Sequence, residues 1–356
     1  MPSLQESLPW ISTPLILNAP MAGSAGGALA AAVTLAGGLG MIGSTSNMAV
    51  TRRELAIARE ALDKSPPVIS TSTTKDTAAA PTLPIGIGFL AFLTDLASAA
   101  QVVAEHRPAV VWLFAAKQIG DYSAWAEAMR SASPSSRICV QTGSVGDAVE
   151  IASSARPDAL CVQGADAGGH GLVRGAGIIS LLPEAADALA AAGHASISLL
   201  AAGGIADGRA VAAALALGAH GVVMGTRFLA STEATPHPVV QASVLEASDG
   251  GQVTVRSTLF DQLGGPNIWP QGYDGRSLAV KSYREFGEGE SLGSIQERYR
   301  SAVGEGDKGF KTGLQGRAAI WAGTGVGLVK EMRGAGEIVE GVRAEARGRL
   351  AAAVRV

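Results

Sequence analysis

The chain carries 28 basic and 31 acidic residues over 356 positions, with 17% of residues charged and 47% hydrophobic. The resulting net charge of −3 leaves no electrostatic footprint for nucleic acid or an anionic membrane surface, and the composition excludes disorder over most of the length. A chain of this size fits two ordinary domains or one α/β barrel.

Glycine occupies 46 positions, about 13% against an ordinary share of about 7%. No collagen period is present, so the glycines serve tight turns and close backbone approaches. Cys139 and Cys161 sit in apolar runs without ligand spacing or company. They read as reduced buried thiols, which points to a reducing, cytoplasmic setting. The five histidines are scattered and no zinc pattern exists, so no metal is expected. Ser7–Thr51 lacks any charge, yet Asn18, Pro20 and Ser24 interrupt it and only Glu6 precedes it. That excludes a signal peptide or membrane span and predicts a buried core.

In chain order, Leu15–Asn18 reads as a strand, Gly27–Ala36 as a helix and Leu39–Ile42 as the next strand. An insertion over Asn47–Pro84 holds a helix at Arg52–Asp63 and a Ser/Thr-rich turn at Ser70–Thr77. Strands then follow at Ile85–Leu90, Val110–Phe114, Ile138–Gln141, Ala159–Gln163, Ile197–Ala201 and Gly221–Met224. Helical patterns separate them at Leu96–Glu105, Tyr122–Ser131, Val145–Ala155, Pro183–Ala192 and Gly208–Leu217. Strands without polar alternation, divided by helices, form a parallel sheet covered on both faces. Eight of them close a TIM (β/α)8 barrel. The expected organisation is a barrel over residues 1–230, a lid or small second domain over 231–317, and C-terminal helices over 318–356 that pack back on the barrel. Those helices are expected at Ala318–Met332 and Glu337–Leu350.

Gly38-Leu-Gly-Met-Ile-Gly43 matches a dinucleotide fingerprint in letters, but it follows a helix and flanks a strand, which is the wrong context. Leu200-Ala-Ala-Gly-Gly-Ile205 and Val222-Val-Met-Gly-Thr-Arg-Phe228 form a better pair, each ending a strand, with one helix opened by Asp207 between them. In a barrel these are strands seven and eight, whose loops offer backbone N–H groups to a phosphate. Gly203, Gly204 and Gly225 permit close approach, and the Thr226 hydroxyl can donate to the same oxygens. The third motif, Cys161-Val-Gln-Gly-Ala-Asp-Ala-Gly-Gly-His-Gly171, follows strand six. Its histidine, His170, is read as lying in a glycine loop at the rim, with little to pack against. A neutral imidazole there suits a general base. Asp166 reads as a turn residue, and His106, His194, His220 and His237 are given no role.

Together with Asn18-Ala-Pro-Met21, Asp261-Gln, Ile268-Trp, Tyr273-Asp-Gly-Arg and Trp321-Ala-Gly-Thr-Gly-Val-Gly-Leu, these motifs resemble the nitronate monooxygenase (2-nitropropane dioxygenase) family, nearest its fungal branch. The resemblance runs over nearly the whole chain. It implies FMN at the C-terminal face of the barrel, with Ala19, Pro20 and Met21 along the flavin ring and Gly88 and Gln141 approaching it. Gln163, Gly164 and Gly168 would border the flavin, and Ala202, Gly203, Gly204, Gly225 and Thr226 would hold its phosphate. His170 matches the family's catalytic base. Relatives often carry Ser where Ala322 stands, so a hydrogen bond from that hydroxyl has no donor here.

The implied reaction is oxidative denitrification of an alkyl nitronate, or of a neutral nitroalkane after proton removal, with O2, giving a carbonyl compound and nitrite. The redox work belongs to the cofactor. Trp112, Phe114 and the lid aromatics are candidates for an apolar pocket wall. An FMN-dependent NAD(P)H:quinone or enoyl reductase on the same barrel is the main alternative, because fold does not fix function. It would need a nicotinamide site, for which no residues stand out. An inosine-monophosphate-dehydrogenase-like reading needs a loop cysteine, whereas Cys161 lies within a strand. A flavin-binding protein without catalysis would lack a base. The partners are small molecules, and monomer and homodimer both remain open.

Overall fold

The computed structural model describes residues 4–68 and 82–354, so the turn expected at Ser70–Thr77 lies outside the described residues. The first half alternates strand and helix: β1 (Leu15–Asn18), α1 (Gly27–Leu35), β2 (Met41–Gly43), α2 (Met48–Lys64), β3 (Leu83–Leu90) and α3 (Leu96–His106). Then come β4 (Pro108–Phe114), α4 (Asp121–Ala132), β5 (Arg137–Thr142), α5 (Val145–Ser154) and β6 (Ala159–Gln163). A short extra strand, β7 (Gly169–Leu172), precedes α6 (Ile178–Ala191), β8 (Ser198–Ala202), α7 (Gly208–Ala216) and β9 (Gly221–Met224).

Eight strands make one parallel sheet in the order β1-β9-β8-β6-β5-β4-β3-β2. Parallel bridges Leu17–Leu39 and Ala22–Gly43 bring its two edges together, so the sheet curls into a TIM barrel. Asn18, wholly buried, stitches that seam. Its side-chain oxygen accepts from the Met41 N–H and its amide donates to the Met41 carbonyl, both at 2.8 Å. The side chain supplies bonds that the edge backbone would otherwise lack.

Successive strand residues feed two cores, as the two-residue period of a strand requires. Ile16, Ile42, Ile87, Val111 and Val140 pack against the helices, whereas Leu17, Met41, Trp112, Cys139 and Leu200 fill the barrel. Leu4, Leu8 and Trp10 join the inner core, and Leu4 N–H bonds the Ser198 hydroxyl at the start of β8. Much of the charge-free stretch is therefore core, as expected, with Ser12, Thr13, Leu35 and Ser46 among its exposed positions. Asp207 caps α7 as its sequence predicts, accepting from Arg209 and Ala210 N–H groups. α6 departs from expectation by starting at Ile178 and leaving Pro183 inside the helix. The carbonyl that Pro183 cannot serve belongs to Ile179, an exposed residue in reach of water.

Beyond β9 run α8 (Thr226–Leu229), α9 (Pro238–Glu246), α10 (Gly250–Val253), β10 (Thr254–Ser257), α11 (Leu259–Gln262), β11 (Tyr273–Leu278), α12 (Lys281–Gly287) and α13 (Leu292–Val303). β10, β11 and β7 form an antiparallel sheet in the order β10-β11-β7, which ties this segment to the loop after β6. Leu259, Phe260, Leu278, Val280 and Ile295 give it a core of its own. Glu285 clamps that core's edge, accepting from Arg317 at 2.8 and 3.1 Å and from Arg298 at 3.0 Å. The Arg317 guanidinium, then Arg298, holds the Glu285 carboxyl down at about 2.

The expected helix over Ala318–Met332 does not form. Trp321 bridges Ser277 instead, and Thr324–Leu328 makes a short 3-10 turn. Gly323, Gly325 and Gly327 lower helix propensity, and Gly323 and Gly325 pack so closely against Asp166 and Gly204 that side chains would collide. α14 (Ala335–Ala353) covers the second expected helix and packs on α1 and α7. Its Arg343 donates to the Ala36 and Gly37 carbonyls at the end of α1. Among the described residues, no helix is long and apolar enough to cross a membrane.

Candidate active site

A cavity of about 870 Å³ opens over the C-terminal ends of the strands. That volume suits a small organic ligand together with a second, smaller molecule. Trp112, Phe114, Cys161 and Val223 form its floor. Ala19, Pro20 and Met21 line it after β1, Gly88 from β3, Gln141 from β5, and Gln163 and Gly168 near β6. Ala202, Gly203 and Gly204 line it after β8, and Gly225 and Thr226 after β9. Gly164 is the exception among the expected residues. It lies beneath the lining, bonded to the Ala202 carbonyl at 2.8 Å, with Ile178 where its side chain would be.

One end of the cavity is built from backbone. Gly203 and Gly204 have φ of +104° and +73°, a region that glycine enters without strain. A Cβ at Gly203 would fall 2.8 Å from the Gly164 carbonyl oxygen, whereas one at Gly225 would meet nothing nearer than Ala19 at 3.6 Å. Among the described residues, no protein carbonyl accepts from the N–H groups of Gly204, Gly225 or Thr226. The Thr226 hydroxyl accepts from Gly323 N–H at 3.0 Å, which leaves its own proton free to donate. Free donors at a glycine turn fit a phosphate group.

The other end is built from side chains. His170 stands on β7, paired with Gly275 of β11, and not in the open loop expected from its glycine neighbours. It is also well packed: Trp269 stacks on its ring at 3.6 Å and 11°, and Trp321 tilts against it at 4.7 Å. Phe92, Phe114 and Tyr273 in turn brace Trp269. Gln163 donates to the His170 carbonyl at 3.0 Å, and His170 Nε2 meets Asp261 Oδ1 at 2.6 Å. Asp261, Trp269 and Trp321 come from the segment beyond the barrel, and nothing near His170 in the sequence announces them. Asp261-Gln, Ile268-Trp and Trp321-Ala-Gly-Thr stand among the motifs that carry the resemblance, but the contact of Asp261 with a histidine 91 positions away is visible only through the fold.

Gln141 accepts from the Trp112 indole at 3.0 Å, which keeps its amide NH2 available at the floor. Burial pushes the Cys161 thiol well up, so this floor residue is not a thiolate nucleophile. Asp166 is a turn residue, as read, and accepts from the Thr324 hydroxyl at 3.1 Å. His237, given no role by its sequence setting, caps α9 through Nδ1, stacks on Phe310 at 4.8 Å and lines the cavity's outer edge. Ala322 is wholly buried behind Gly168. Among the described residues, no group of ligating side chains could hold a metal ion.

The fold matches a solved structure of FabK from Thermotoga maritima with a TM-score of 0.74 at 24% identity, over 99% of each chain. Nitronate monooxygenase npaC of Metarhizium robertsii is 44% identical over 99% of this chain and 96% of its own. A nitronate monooxygenase of Neurospora crassa is 35% identical over 98% and 93%. The nitronate monooxygenase family model matches residues 6–345. With that span matched and two fungal relatives aligned end to end, the chain belongs to the nitronate monooxygenase family of oxidoreductases.

Proposed function

We propose that the protein is an FMN-dependent nitronate monooxygenase that converts alkyl nitronates, and neutral nitroalkanes through them, to carbonyl compounds and nitrite with O2. The observation that carries this reading is the pairing, in one cavity, of a free-donor glycine cradle with a half-buried histidine held by Asp261. Gly203, Gly204, Gly225 and Thr226 would hold the FMN phosphate, and Ala19–Met21, Gly88, Gln141, Gln163 and Gly168 would border its ring. Bound FMN supplies electron acceptance from the nitronate and reaction with O2.

The chain's own work is proton chemistry and enclosure. The carbon beside a nitro group is acidic, and a neutral His170 takes its proton, so that the C–H electron pair moves into the nitronate C=N bond. A preformed nitronate has already lost that proton and bypasses the step. Trp112, Phe114, Trp269 and Trp321 keep bulk water from the reacting carbon and restrict the substrate to small, mostly apolar nitro compounds.

The test is the visible spectrum of the purified protein under anaerobic conditions. A yellow protein that releases FMN on denaturation, and is bleached by nitronate but slowly by NADH, is the expected result. Rapid bleaching by NADH with none by nitronate would replace this reading with a reductase.

A further inference from the structure

We infer that Asp261 is a positioning residue for His170, holding the imidazole as its Nε2–H tautomer and making Nδ1 the atom that takes the substrate proton. The inference rests on the reading of His170 as base and goes beyond it by naming the protonated atom and the group that selects it.

Three side chains hold the ring. Asp261 Oδ1 takes Nε2 at 2.6 Å, a short contact of the kind charge-assisted hydrogen bonds make. Trp269 covers one ring face, and Trp321 packs at the opening that Gly275 leaves. A Cβ at Gly275 would come within 2.4 Å of the Trp321 ring and 3.4 Å of His170 Nε2. Among the described residues, no protein group bonds His170 Nδ1. A neutral imidazole carries one proton, and a carboxylate beside Nε2 draws it there, which leaves the lone pair on Nδ1.

Asp261 carries a mark of this role. Its side chain is 5% exposed, and its second oxygen, Oδ2, is buried without a hydrogen-bond partner. Among the described residues His170 is its ion-pair partner, and no lysine or arginine shares it. An aspartate kept only for α11 would satisfy both oxygens, because a bare buried acceptor is costly. An undiluted carboxylate is what proton abstraction needs, since the imidazole becomes a cation as it accepts the proton. Oxidation of a preformed nitronate forms no such cation.

The experiment measures turnover of the flavin-loaded enzyme on a neutral nitroalkane and on its nitronate, in wild type, Asp261→Asn and His170→Asn. Substrate deuterated at the reacting carbon is run alongside. Asp261→Asn should lower the neutral-to-nitronate ratio about 10–100-fold, with a primary isotope effect at least as large as that of wild type. A ratio that stays at the wild-type value, or equal loss on both forms, overturns the inference while a collapsed ratio in His170→Asn keeps the base reading. If His170→Asn itself leaves the ratio intact, both fall together. An independent check needs no aspartate variant. Long-range 1H–15N correlation of histidine-labelled wild type, assigned with His170→Asn, should show His170 protonated at Nε2; protonation at Nδ1 refutes the inference.

Discussion

The two ends of the cavity are made by different means. At the cradle, main-chain N–H groups of Gly204, Gly225 and Thr226 converge because β8 and β9 are neighbours and each ends in a glycine turn. At the His170 end, a side chain on β7 is fixed by residues from β6, α11, the turn before β11 and the stretch after α13. The cradle belongs to the barrel and depends on where the backbone goes. The His170 end depends on the extra three-stranded sheet and on the core beneath it. The stretch after α13 touches both ends, through Trp321 on His170 and Gly323 on Thr226, but a change confined to Gly225 or to Asp261 should leave the other end standing.

The largest effect expected from this contrast falls on flavin retention. Gly225→Val should fold, because a Cβ there has room, yet it should weaken FMN retention about 100-fold by crowding the phosphate donors. Gly203→Val sits in the same cradle but should fail differently. Its Cβ meets the Gly164 backbone at a positive φ, so stability should drop by about 1–3 kcal/mol before any ligand is considered. Flavin release and chemical denaturation, measured on both variants, separate the two outcomes; equal stability loss would erase the distinction.

A smaller effect belongs to the segment that carries the base end. Glu285 is held near 2, below its ordinary 4.5, so its clamp stabilises the protein fully above that ordinary value. The contribution is lost as pH falls from about 4.5 toward about 2. Glu285→Gln should cost about 2 kcal/mol at neutral pH, with wild type and variant converging through the acid window. Parallel stability curves down to pH 2 would show that the clamp does not act through its charge.

The same contrast explains what could be read from the letters. The eight strands are legible because their apolar runs fill two cores at once, and the cradle is legible because glycine marks backbone approach locally. His170 stands out for its glycine neighbours, but those neighbours suggest an open loop. The strand exists only because Tyr273–Leu278 arrives from far along the chain to pair with it. Asp261 and Trp269 gain their meaning in the same way, through tertiary contact. The false helix at Ala318–Met332 arises from an apolar composition that could be helical, overridden by glycines that must pass close to Asp166 and Gly204. Asn18 sits in a motif read as flavin-facing, while its own side chain closes the barrel seam.

The most direct measurement of the central claim is the paired turnover of His170→Asn on a neutral nitroalkane and its preformed nitronate, assayed before the two forms interconvert. The account predicts full flavin content, a loss of about 10²–10⁴-fold on the neutral form and largely retained activity on the nitronate. Equal losses on both forms, or undiminished activity on the neutral one, would contradict it.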